Sequence, residues 1–144
     1  MRRLTSLALL VTVLTASGVA LAAPFRLYPG AKTDAWCARY AREAEKAVKA
    51  RAGANIEVGC YLTADPFEKV YAFYKTFARE DMGMRSVPRP TVKGQPIKWA
   101  FFVLDGAKTF ATSKHWMKIQ RPAIGDEEFK DVRDLTLIQV MRTR

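Results

Sequence analysis

The stretch that decides the fold is NIEVGCYLTADPFEKVYAFYKTFARE, residues 55–80. Its apolar pattern changes period halfway along. From Asn55 to Thr63 it alternates: Ile56, Val58, Cys60 and Leu62 fall on one side, and Asn55, Glu57, Gly59, Tyr61 and Thr63 on the other, which predicts a half-buried strand. From Phe67 onward the spacing is helical, and Phe67, Val70, Tyr71, Tyr74, Phe77 and Ala78 share one stripe. Asp65 is placed to cap this helix, Pro66 suits its first position, Glu68 stands three residues after the cap and Gly83 is the stop signal. Glu68, Lys69, Thr76 and Arg79 take the opposite side. Phe73 lies at the stripe's edge, open between a core ring and an exposed ligand-binding ring.

Upstream, a first helix is predicted from Thr33 or Asp34 as cap to about Arg51, with Gly53 ending it. Its inward stripe is Trp36, Cys37, Tyr40, Ala44, Ala47 and Val48. Cys37 therefore sits on the apolar side of that helix and Cys60 on the apolar side of the following strand. If the helix packs on the strand, the two sulfurs meet, and a structural disulfide is expected. The absence of a Cys-x-x-Cys spacing argues against a redox pair.

Export fits that chemistry. Met1-Arg2-Arg3 is a basic start, Leu7 to Leu14 an apolar run, and Ala20-Leu21-Ala22 the small-x-small pattern of a cleavage site, so residues 1–22 are expected to be a signal peptide cut after Ala22. The polar residues Thr5, Ser6, Thr12, Thr15 and Ser17 make the segment a poor permanent span, and no cysteine near the cut supports a lipid anchor. The expected address is periplasmic or secreted. Without Arg2 and Arg3 the 24 basic residues fall to 22 against 14 acidic ones, a net charge of +8 on residues 23–144. Such an excess favours anionic partners and says nothing about fold. In an envelope these are an acidic protein, lipid head groups or acidic polysaccharide; nucleic acid is not expected.

Pro24 to Lys32 reads as an extended or turning lead-in. Gly83 to Pro96 carries three prolines and two glycines and is a loop with the bases Arg85, Arg89 and Lys93. Ile97 to Leu104, His115 to Gln120 and Asp134 to Met141 read as strands, the first and last of them apolar on both sides. Asp105-Gly106 marks a turn, and Lys108 to Thr112 stays open between strand and loop. The expected fold is a single α+β domain over residues 23–144, in the order α-β-α-β-β-β. Consecutive strands would pair as an antiparallel meander, giving a two-layer arrangement with a four-stranded, mainly antiparallel sheet and both helices on one face.

The segments YPGAK (28–32), YLTADPFEKVYAFYK (61–75) and DLTLIQV (134–140) resemble a recurring pattern in small exported bacterial domains of unknown function. The resemblance spans most of residues 23–144. It implies the α+β arrangement and export, and it transfers no catalytic or binding residue.

Chemistry is sparse. The one histidine, His115, lies two residues from Ser113, so a hydrolase-type site is conceivable, but no nucleophile elbow surrounds the serine. Asp126, Glu127 and Glu128 lack the donor spacing and glycine of a calcium loop. No metal site, cofactor or catalytic set is expected. Basic residues carry more signal. One group is Arg39, Arg42, Lys46 and Lys49 on the outer side of the first helix, where Glu43 and Glu45 lie close and Glu45–Lys49 makes a favourable pair. A second runs Arg85, Arg89, Lys93, Lys98 and Trp99. A third is Lys114, Trp116, Lys118 and Arg121, interleaving base and aromatic along a strand. The sequence thus supports a small, non-enzymatic envelope domain that binds through Arg85, Arg89, Lys93, Lys98, Trp99, Lys114, Trp116 and Lys118. Its partner is an envelope protein or, alternatively, an anionic envelope component.

Overall fold

The computed structural model describes residues 23–144; residues 1–22, expected from the sequence to be a signal peptide, lie outside the described residues. Helix α1 spans Ala35–Ala52. Asp34 caps it, its carboxylate accepting from Cys37 N at 2.9 Å, and Gly53 closes it in the left-handed region at φ 63°, where a side chain would be strained. Strand β1 (Ile56–Thr63) follows, then α2 (Phe67–Lys75) and the two-residue strand β2 (Arg79–Glu80). A 3-10 turn (Met82–Arg85) leads to the small hairpin β3 (Thr91–Val92) and β4 (Gln95–Pro96), and then to β5 (Lys98–Val103). A second 3-10 turn (Phe110–Thr112) precedes β6 (His115–Arg121), the hairpin β7 (Ala123–Ile124) and β8 (Val132–Arg133), and the last strand β9 (Thr136–Thr143).

The α+β class holds, but its finer description needs correcting. The main sheet has five strands in the order β1-β9-β6-β5-β2. It is antiparallel throughout and is not a meander, because β1 pairs along its whole length with the last strand, Ile56 opposite Thr143 and Thr63 opposite Thr136. The fifth strand comes from a shorter second helix. α2 stops at Lys75 instead of reaching Gly83, and Arg79–Glu80 joins the sheet edge beside Val103 and Phe102. Asp65 does not cap α2, which starts after Pro66 with no side-chain cap. Its carboxylate is taken by the Tyr28 hydroxyl at 2.6 Å and by Lys69 at 3.0 Å.

Nor do the helices share a face. Alternation along the strands separates two clusters. Val70, Tyr74 and Ala78 pack with Ala100, Phe102, Met117, Ile119, Ile138 and Val140 on one side of the sheet. Trp36 and Cys37 of α1 pack with Cys60, Leu62 and Leu137 on the other, together with Ala123. Leu137 and Ile138 are neighbours in β9, so their side chains point to opposite faces. The sheet is thus the middle of three layers, and this is why β5 and β9 are apolar on both sides. Burial of each large side chain, such as Phe102, Met117 or Ile138, stabilises by about 1.5–3 kcal/mol.

The Cys37–Cys60 disulfide joins α1 to β1 across a Cα separation of 5.2 Å. The lead-in is tied down by Tyr28, whose N–H donates to the buried Tyr74 hydroxyl at 3.1 Å. Phe73 is half-buried and packs edge-on against Tyr28, Tyr74 and Phe77, so it belongs to the margin of the core. The segment 108–112 is turn, not strand; its Phe110 N–H donates to the buried Asp81 carboxylate at 2.9 Å. No helix among the described residues is long and apolar enough to cross a membrane.

Candidate functional site

The geometry of β5 creates an unfilled position in the sheet edge. Leu104 N–H donates to His115 O at 2.9 Å, so in an antiparallel ladder the even residues 98, 100, 102 and 104 face β6 and the odd residues face outward. On the outward side Val103 pairs with β2, and Phe101 O accepts from Asp81 N at 2.8 Å. Further along, Ile97 N–H donates to Pro90 O at 3.0 Å. Between these engaged positions lies Trp99. Its outward N–H and C=O have no partner among the described residues.

A depression of about 250 Å³ opens at this gap, lined by Phe67 and Tyr71 of α2, Glu80, Arg85, Arg89, Trp99 and Ala100. Each part follows from local sequence. The one-sided stripe of α2 puts the stacked rings of Phe67 and Tyr71, 5.9 Å apart, on its sheet-facing shoulder. The brevity of β2 leaves β5 uncovered beyond Phe101, and the 3-10 turn at Met82–Arg85 swings Arg85 back over Glu80.

Arg85, Glu80 and Tyr71 form a locked network. The guanidinium grips the carboxylate at both oxygens, Nε to Oε1 at 2.9 Å and an Nη to Oε2 at 2.8 Å. The Tyr71 hydroxyl donates to Oε2 at 2.6 Å and accepts from Arg85 at 2.6 Å. The Glu80 side chain is only 8% exposed. Burial alone would push its carboxyl up, but the bonds from Arg85 and Tyr71 outweigh burial and hold it below the usual range. The same carboxylate holds Arg85 more firmly charged than usual. Arg85 keeps unused N–H donors beyond those committed to Glu80 and Tyr71. Arg89 has no ion pair among the described residues, so the depression carries a net positive charge. The Trp99 ring itself lies on the other face of the sheet, where its indole Nε1 is a buried donor without a partner among the described residues.

The basic and aromatic residues singled out from the sequence therefore divide. Arg85 and Arg89 come together beside the Trp99 backbone, while the Trp99 ring turns to the other face of the sheet. Lys98 leaves the group to pair with Glu68. Lys93 sits exposed at the tip of the β3–β4 hairpin with φ 50°. Lys114 is exposed in the loop before β6, where its N–H donates to Asp105 at 2.7 Å. Trp116 and Lys118 are on the opposite face of the sheet, where Trp99, Phe101, Phe110 and Trp116 form an aromatic cluster with neighbouring ring centroids 4.8–6.1 Å apart. Lys118 lies beside Phe101 and Gln139, and burial pulls its ammonium down to about 8. Arg121 does not continue that row. It points to the other face and is held by the carbonyls of Ala64, Asp65 and Asp134 and by the Asp134 carboxylate.

Phe67, Tyr71 and Glu80 are the site residues that sequence reasoning did not single out. Tyr71 offered one signal, a hydroxyl on an otherwise apolar stripe that had to find a polar partner.

Elsewhere, His115 borders a depression of about 170 Å³ with Phe25, Glu57, Gly59, Tyr61, Val140 and Arg142. Burial and the nearby Arg142 depress its imidazole against the pull of Asp105. The Ser113 hydroxyl does not face that ring but is held by the Asp105 carboxylate and the backbone of His115. Asp126 accepts from the N–H groups of Lys130 and Asp131 and closes its own loop. A larger depression, about 440 Å³, lies along the outer side of α1 among Arg42, Lys46, Lys49 and Arg144. Acids temper it: Lys46 pairs with Glu43 and Arg144 with Glu57.

The chain matches no family model, and no curated protein or solved structure shows significant similarity to it.

Proposed function

We propose that this protein is an exported, non-enzymatic binding domain of the cell envelope that makes contact through the depression at the open edge of β5. Residues 1–22 serve as a signal peptide removed after Ala22, and the Cys37–Cys60 disulfide staples the domain in an oxidising compartment. The observation that carries the reading is the gap at Trp99. Unfilled hydrogen-bonding groups of a sheet edge face aromatic walls beside a guanidinium that Glu80 and Tyr71 already hold in place. A group fixed before its partner arrives loses little freedom on binding, which is what a recognition site requires. Glu80 is fully engaged by Arg85 and Tyr71, so the lining presents donors and apolar walls to a ligand.

An anionic envelope component is the more specific form of this reading, favoured by the uncompensated charge of Arg89 and by the net charge of +8 on residues 23–144. Two experiments test the proposal. Mass spectrometry of the exported protein should show an N-terminus at Ala23. Protein recovered from its native envelope should carry a bound component that Arg89→Gln releases and added salt weakens. Retention unaffected by both Arg89→Gln and salt would move the contact surface elsewhere.

A further inference from the structure

We infer that the gap at Trp99 receives the last residue of a peptide that ends in a free α-carboxylate. The inference rests on the edge depression being the contact surface and adds the class of ligand.

The argument begins with the size of the gap. A residue lying opposite Trp99 in antiparallel fashion would exchange two bonds with it, donating its N–H to Trp99 O and accepting from Trp99 N–H. A longer added strand would next need the outward groups of Ile97 and Phe101. Neither position is free: Pro90 O already takes the Ile97 N–H and Asp81 N–H already takes Phe101 O, so Pro90 and Asp81 lie alongside them. The edge therefore admits one residue and blocks continuation in the sheet. A C-terminal residue meets that condition once the residues before it turn out of the sheet beside Asp81; an internal strand segment would have to turn out on both sides.

Charge selects the same end. Arg85 and Arg89 flank the gap against the single carboxylate of Glu80, and Glu80 is committed to Arg85 and Tyr71. An ammonium terminus would be repelled. A carboxylate terminus has one oxygen for the Trp99 N–H and another for the spare guanidinium donors, a charge-assisted arrangement. The depression of about 250 Å³ equals roughly eight waters at about 30 Å³ each, room for one or two small residues. Phe67, Tyr71 and Ala100 supply an apolar floor for the terminal side chain.

The test titrates N-acetylated tripeptides ending in alanine or phenylalanine into the ¹⁵N-labelled, disulfide-bonded protein. Each is used as the free acid and as the C-terminal amide, with sodium acetate as a third probe. At least one free acid should shift the Trp99 backbone amide in a saturable way. Its amide form, and the free acid with Arg89→Gln, should bind at least about tenfold more weakly, the loss expected of one charge-assisted contact. Equal affinity of acid and amide overturns the inference, as does an unmoved Trp99 amide with both acids. Acetate binding as tightly as the peptides overturns the peptide part and with it the proposal. If phosphatidylglycerol vesicles bind in an Arg89-dependent way while both acids leave Trp99 unmoved, the envelope-binding reading stands and the peptide terminus falls.

Discussion

Replacing Lys118 by methionine should stabilise this protein at neutral pH. Lys118 is in the middle of the sheet, between Phe101 on β5 and Gln139 on β9, and it has neither an ion pair nor a side-chain hydrogen bond among the described residues. Burial draws its ammonium down to about 8, so at pH 7 the fold still holds it charged. A lysine in water titrates near 10.4, and each pH unit of difference is worth about 1.36 kcal/mol, which makes the penalty about 3 kcal/mol at most. Methionine keeps the length and the apolar contacts and drops the charge, so the expected gain is about 1–3 kcal/mol. The sign with pH follows from a folded value below the unfolded one. The penalty is complete below about pH 8, shrinks as pH rises from about 8 to about 10.4, and is absent above that. Urea unfolding at pH 7, 9 and 10.5 measures it: Lys118→Met should have the higher midpoint at pH 7 with an unchanged slope, and the difference should close by pH 10.5. A variant less stable at pH 7, or a difference indifferent to pH, would refute the reasoning and show that the ammonium is satisfied in the fold.

Other perturbations address the staple, the edge network and one close contact. Replacing Cys37 and Cys60 together by alanine should lower stability by about 3 kcal/mol, since the bridge closes a 23-residue separation; unfolding with and without reductant measures it. Glu80→Gln takes the counter-charge from Arg85 and should cost about 1–3 kcal/mol. Because the Glu80 carboxyl is held below its ordinary value, its contribution is present above about pH 4.3 and is lost as pH falls through the folded value; the variant's urea midpoint should lack that part of the acid dependence. Gly125→Ala drives a methyl group into the Asp131 carboxylate and close to the Trp36 ring, disturbing the Trp36 Nε1–Asp131 bond of 2.8 Å. It should cost about 1–3 kcal/mol in thermal unfolding.

Local pattern was enough for some of this architecture. Two periodicities, one helical and one alternating, brought Cys37 and Cys60 to the same layer without any knowledge of the sheet order. Asp34 and Gly53 bound α1 because caps are local chemistry. The sheet order was not local. Pairing β1 with β9 joins residues about eighty positions apart, and nothing in either strand names its partner. The placement of the helices on opposite faces did leave a trace. Ile97–Leu104 and Asp134–Met141 are apolar on both sides, which a sheet covered on one face alone would not need. The alternation in β1 pointed the other way, because Tyr61 on its second face resembles a solvent residue although it packs against the α2 core.

The candidate site divides along the same line. Arg85, Arg89 and Trp99 were visible as a basic, aromatic neighbourhood because they lie close in sequence, but their importance comes from an edge position that only the sheet order creates. The aromatic segment of α2 shows how local and non-local information combine. Tyr74 became core, and Phe73 and Phe77 its margin, as the stripe implied. Phe67 and Tyr71 belong both to that packing and to the rim of the depression. What separates them from their neighbours is the end of α2 at Lys75. A helix continued to Gly83 would leave Glu80 outside the sheet, with no position under Arg85 and Tyr71, and β5 would have no β2 to end beside. The early stop at Lys75 therefore makes the edge, the network and the gap at once. A substitution that extended α2 through Thr76–Arg79 should abolish all three together, and loss of the Trp99 amide's response alongside loss of the Arg85–Glu80 pair would show that they are one unit.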